Sequence, residues 1–360
     1  MIRNFGGARG CYFCGRKDAA TMPFNEVVDF ILQRIDAFYG RAADHLPYET
    51  REGGYQGWHI DSYDMIRDEV CLEFPRDDAD KLFSEIVDGI GDDTWCEFDW
   101  LVLEPDKSLR FSWVSFCDVV KHHRRFFFHD IGASDGSDPD ARSPVEFLET
   151  VCRQAEKAKM IVEMPSGQIL FRARARAARQ KISTPSELGP PPPEFSTQSN
   201  RMNPPGISMF YGADKRQLAV AEIRNSMASI GTFKTRRPIR ILDLANLPEV
   251  PGFFSTTDRI KQRMLSFLSD FSDLIVQSVD RSDRINVDYI PTQVFTEFIR
   301  DFQFGGGKVD GIRYRSATGE KGTNYVLFAG QEDVVDAAPS NPFRTRTPWL
   351  ELVKVTHARR

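Results

Sequence analysis

The sequence predicts an α+β protein of two domains, an all-helical one followed by a mixed α/β one. Three observations carry this. Helical apolar spacing fills the first 160 residues, alternating strand patterns begin near residue 165, and the reactive side chains are segregated. All six cysteines lie between Cys11 and Cys152, and from residue 153 to 356 there is neither Cys nor His. Chemistry in that stretch therefore excludes thiolates, imidazole bases and Cys/His zinc sites, and must use Arg, Tyr, Ser and carboxylates.

The expected domains are 1–160 (helical), 165–335 (mixed α/β) and 336–360 (a C-terminal extension). At 360 residues, with 41% hydrophobic and 12% aromatic residues including 28 Phe, the chain has apolar material for two cores. A net charge of −5 gives no reason to expect nucleic acid as a partner. No apolar run approaches the roughly 20 residues of a membrane helix. The opening residues carry no apolar segment of the kind a signal peptide needs, so a cytoplasmic location is expected and disulfides are not.

Element by element, Asn25–Tyr39 places Val28, Ile31, Leu32 and Ile35 at helical spacing. Asp77–Ile90 opens with acids, which suit a helix N-terminus. Ser108–Phe128 and Pro144–Met160 read as two more helices, the second capped by Ser143 with Pro144 at its first position. Fifteen acids against three bases between Asp61 and Glu104 describe a solvated face. Ile169–Ala175 then alternates, with Arg172 and Arg174 on one face. Seven prolines between Pro185 and Pro205 exclude helix and inner strand. Beyond them come a strand over Ile207–Tyr211, a helix capped by Asp214 and running to about Met227, and a strand over Ile239–Leu244. Helices over Thr257–Leu274 and Thr292–Phe302 and strands over Gly311–Arg315 and Tyr325–Ala329 complete the module.

Four pieces of this second module can carry chemistry. Arg172 and Arg174 offer planar forks to phosphate or carboxylate oxygens. The loop Arg201-Met-Asn203 feeds a strand ending in Tyr211. Glu222 stands in an otherwise apolar helical turn, where a carboxylate must be paired, hydrogen-bonded or open to a cleft. Ser316 ends one strand and Asn324 opens the next. In order, Phe171-Arg172, Arg201-Met-Asn203, Tyr211, Glu222 eleven residues later and Ser316 resemble the RES domain over roughly residues 165–335. The proline loop departs from that pattern, and either Arg172 or Arg174 can be the motif arginine, with Arg172 favoured because it directly follows the aromatic.

The resemblance implies a fold similar to ADP-ribosyltransferases and a toxin that consumes NAD. The substrate is NAD, inorganic phosphate is the expected co-substrate, and no cofactor is required. The implied products are nicotinamide and ADP-ribose 1″-phosphate. Arg172, Tyr211, Glu222 and Ser316 are the implied catalytic residues; Arg174, Arg201, Asn203 and Asn324 the implied substrate-binding ones. An antitoxin, or an inhibitory contact with the chain's own N-terminal domain, is the implied protein partner.

The helical part is similar to the HEPN-related domain found ahead of RES domains, over Trp95–Trp100, Ser112–Phe116 and Val120–Phe128. Two other readings attach to this part. Arg124 and His129 have the four-residue spacing of a HEPN ribonuclease motif, so RNA cleavage or binding is the alternative function, with ADP-ribosyl transfer as a further one. Cys11-Tyr-Phe-Cys14-Gly is half of a zinc knuckle whose other ligands would be distant, such as Cys71 or Cys96, and no metal is assigned.

Overall fold

The computed structural model describes residues 10–13, 15, 17, 21–72, 79–98, 103–127, 142–223, 227–277, 284–318, 320–336 and 347–359. It divides into two compact units, 1–104 with 251–262 and 105–250 with 263–360. The helices over residues 105–157, grouped with the N-terminal domain by sequence, thus cluster with the second unit.

The first unit is not all helical. The helix Phe24–Asp36 buries Val28, Ile31 and Ile35 on one stripe. Beside it, Gly40–Arg41, Thr94–Cys96 and His59–Asp61 form a three-stranded antiparallel sheet with the middle strand at its centre. These strands have two or three residues, too few to reveal alternation in a sequence. Trp95 on the central strand is fully buried, lies under the Arg41 guanidinium at 3.7 Å, and donates its indole N–H to Ser62 Oγ at 3.3 Å. Phe253 and Phe254 belong to this unit through stacking on Phe38 and Phe30, and Arg34 donates to the carbonyls of Phe253 and Ser255. The acidic helix is observed over Ala79–Ile90.

The second unit is built on a nine-stranded sheet. Its strands are β1 (Ile161–Met164), β2 (Ile169–Ala175), β3 (Phe210–Ala213), β4 (Met227–Thr235), β5 (Ile239–Asp243), β6 (Gly311–Arg315), β7 (Thr323–Leu327), β8 (Val334–Asp336) and β9 (Leu350–Arg359). Their spatial order is β8-β9-β4-β2-β3-β7-β6-β5-β1. Only β5–β6 and β8–β9 are parallel. β2 and β6 have the bounds expected from sequence. β9, expected as an extension, is instead an integral strand paired with β4 over nearly its whole length.

Helices α1 (Pro105–Asp118) and α2 (Pro144–Lys157) pack with α3 (Arg259–Val276, from residue 263 onward) and α4 (Ile290–Asp301). Trp113, Phe116, Phe147, Phe267, Phe271 and Phe295 interlock there at centroid distances of 5.1 to 6.5 Å. Ser143 and Glu146 complete a capping box at the start of α2. α1 ends in a π-turn over Val119–His123, short of the expected Phe128.

Three further expectations are corrected. The proline loop contains a helical turn, Pro185–Leu188, because Pro185 occupies the first helical position, where no N–H is needed, and Thr184 with Glu187 caps it. The helix after Tyr211 runs only over Arg216–Glu222, and Asp214 does not cap it. The Asp214 carboxylate instead accepts from Thr323 N at 2.9 Å and Thr323 Oγ1 at 3.1 Å, tying the loop after β3 to the start of β7. The following chain turns into β4, whose residues are buried on both faces and so show no alternation.

Candidate active site

The helix Arg216–Glu222 seats Leu218 and Ala219 against Phe171, Ala173 and Ala213 of β2 and β3. That packing fixes the helix and leaves Glu222 at its exposed C-terminal end. A carboxylate there opposes the partial negative charge of the helix terminus and needs donors. Two are supplied to one oxygen. Asn324 Nδ2 donates to Glu222 Oε1 at 2.7 Å and Ser316 Oγ donates to the same atom at 2.9 Å. Ser316 is held in turn by Thr318, whose N–H reaches Ser316 Oγ at 3.1 Å. Close approach of the two strands that deliver this pair depends on Gly311, where a Cβ would meet the Val326 carbonyl at 2.2 Å. Among the described residues, Glu222 has no cationic partner and its Oε2 accepts no hydrogen bond.

Tyr211 anchors the second part of the site. Its hydroxyl donates to Asn203 Oδ1 at 2.5 Å and accepts from Met202 N at 3.4 Å. Asn203 Nδ2 donates to the Ile207 carbonyl at 2.6 Å, which fixes the amide orientation. The Arg201-Met-Asn203 loop is clamped by α4. Gln293 Nε2 donates to Ser199 Oγ at 2.9 Å, the Asn200 carbonyl at 2.7 Å and the Asn203 carbonyl at 3.3 Å. Thr292 Oγ1 donates to the Arg201 carbonyl at 2.6 Å. Burial, and secondarily the nearby Tyr314 hydroxyl, push the Tyr211 phenol well above its ordinary range, so it stays protonated at neutral pH.

Arg172 lies between the strands. Its guanidinium donates to the Tyr211 carbonyl at 3.0 Å and stands 5.6 Å from the Phe210 ring. Burial, with a smaller contribution from Arg174, lowers it to about 10, and it remains a cation at neutral pH. Among the described residues no carboxylate pairs with it. Arg174 is exposed and donates to the Glu187 carbonyl in the proline-loop turn. Arg201 donates to the Val276 carbonyl at the end of α3 and lies 6.0 Å from the Tyr314 ring.

The residues expected from sequence thus fall into two groups. Glu222, Ser316 and Asn324 share one hydrogen-bonded cluster; Tyr211 and Asn203 share a second, which Arg172 meets only at the Tyr211 main-chain carbonyl. Arg174 is directed at the proline-loop turn, and the Arg201 side chain is directed at α3. Asn324, expected to hold substrate, has its amide on Glu222. Sequence reasoning missed Thr318, Gln293 and Tyr314. The last lies two residues before Ser316 on β6, opposite Asn324, so strand periodicity alone places it on the same face.

The rival sites are not assembled by the described residues. Cys14 and His129 lie outside them, and no group of three His, Cys, Asp or Glu that could hold a metal occurs among them. No helix among them is long and apolar enough to cross a membrane.

A family model described as the RES domain matches residues 169–350, just over half of the chain. A second, HEPN/RES N-terminal domain 1, matches residues 4–134. No curated protein and no solved structure matches the chain.

Proposed function

The chain belongs to the RES domain family, and on that premise we propose that it degrades NAD by cleaving the bond between nicotinamide and ribose. The observation that carries this is the state of Glu222, held through Oε1 by Ser316 and Asn324 with Oε2 left to accept. In NAD the pyridinium nitrogen takes the electron pair of the breaking C–N bond and leaves as neutral nicotinamide, so no general acid is needed. Positive charge develops on the ribose, and an uncompensated carboxylate stabilises it. Inorganic phosphate attacks the anomeric carbon through one oxygen, forming ADP-ribose 1″-phosphate. The Arg172 guanidinium, with no carboxylate partner among the described residues, suits a phosphate, either this nucleophile or the pyrophosphate of NAD. Tyr211, whose hydroxyl is engaged on Asn203, offers its ring to the substrate. A toxin role with an antitoxin partner, and a likeness to the ADP-ribosyltransferase fold, belong to the same reading.

The test is to incubate the full chain with NAD, with and without inorganic phosphate, and identify products by mass. Nicotinamide with ADP-ribose 1″-phosphate, formed only when phosphate is present, is the expected result. ADP-ribose would make water the acceptor, and an ADP-ribose adduct on the protein would make the reaction a transfer. Intact NAD under both conditions would remove the reading.

A further inference from the structure

We propose that Tyr314 is an additional substrate contact whose hydroxyl donates to a hydroxyl of the ribose held by Glu222. This rests on the NAD reading above. Tyr314 is only 7% exposed, yet among the described residues its hydroxyl has no hydrogen-bond partner. The hydroxyl is not among the fully buried unpaired side-chain atoms, so it is the part of this side chain that stays open to solvent and to a ligand. Tyr314 is directly opposite Asn324 in the β6–β7 ladder, so its side chain stands next to the amide that holds Glu222.

Counting donors and acceptors specifies the ligand group. A ribose hydroxyl has one proton to give and lone pairs to fill. Glu222 Oε2 is acceptor only, so it takes the proton. The Ser316 hydroxyl and one of the two Asn324 N–H groups are engaged on Oε1, and the Tyr211 hydroxyl is engaged on Asn203. Among the described residues, the Tyr314 hydroxyl and the second Asn324 N–H are the donors left on this face, and Tyr314 is the one not already tied to Glu222. Burial and the nearby Glu222 carboxylate both hold its phenol above the ordinary range, so the proton is present at neutral pH.

The experiment compares wild type with Tyr314→Phe on three substrates: NAD, and NAD lacking either the 2- or the 3-hydroxyl of the nicotinamide ribose. The expected result is a loss of about tenfold in kcat/KM for NAD, with no difference between the two proteins on one of the deoxy substrates. The melting temperature should not fall, because the hydroxyl that is removed has no partner among the described residues. Unchanged kinetics on NAD, or an equal loss on all three substrates, would overturn the contact while leaving the NAD reading intact. A wild-type protein that leaves NAD intact would overturn both.

Discussion

The two groups of the site solve the problem of placing polar side chains in different ways. Around Tyr211 nearly every donor has an acceptor within the protein: the hydroxyl on Asn203, the Asn203 amide on Ile207, and Gln293 on three loop oxygens. That group is a scaffold, complete before any ligand arrives. Around Glu222 the bonds among the described residues converge on one oxygen and leave the other open, at the exposed end of a seven-residue helix. That group is arranged for something absent from the chain itself. The difference teaches which side chains to perturb for turnover and which for stability.

The sharpest test of the contrast is Glu222→Gln. It keeps the shape and loses the charge, so turnover of NAD should fall roughly 100-fold or more, with an unchanged melting temperature. Near-normal turnover would place Glu222 in the scaffold. Next is the arginine pair. Arg172→Lys keeps a charge and loses the fork, and should reduce kcat/KM roughly 10-fold or more. Arg174→Lys, whose side chain is exposed on the Glu187 carbonyl, should change it only a few-fold. Steady-state kinetics of both variants decide between them, and the reverse order would make Arg174 the phosphate ligand. The smallest catalytic effect and the largest structural one are expected from Gln293→Leu. Its three acceptors lose their donor, costing about 1–3 kcal/mol, read by denaturant unfolding. Any loss of turnover should be modest. A collapse of turnover at full stability would move the loop from scaffold to catalytic machinery.

Much of this was legible in the residues. The Arg strand is legible from the alternation of its residue types, and β2 appears with its expected bounds, Leu170 in the core and Phe171 and Ala173 against the helix Arg216–Glu222. Ser143-Pro144 announced α2 through capping chemistry that is local by nature. Glu222, Ser316 and Asn324 could be singled out separately, because a carboxylate in an apolar turn and polar residues at strand ends are anomalies of pattern. Their bonding could not, since Glu222 and Asn324 are joined only by the fold. β4 was hidden because burial on both faces removes the period-two signal, and β9 because its long pairing is with that hidden strand. Gln293 escaped notice for a similar reason. On a helix stripe it reads as a surface polar residue, and only the returning loop buries it.

The place of β9 has a practical consequence. The matched RES segment ends at residue 350, where β9 begins. A chain trimmed to that match would lose the strand between β8 and β4. It would strip β4 of the ladder running from Met227 to Thr235 and leave a nine-residue strand with unpaired N–H and C=O groups. Such an edge recruits strands from other molecules. The last ten residues of this sheet thus act as a plug against self-association, and β2 with Arg172 lies only one strand inside the edge they cover.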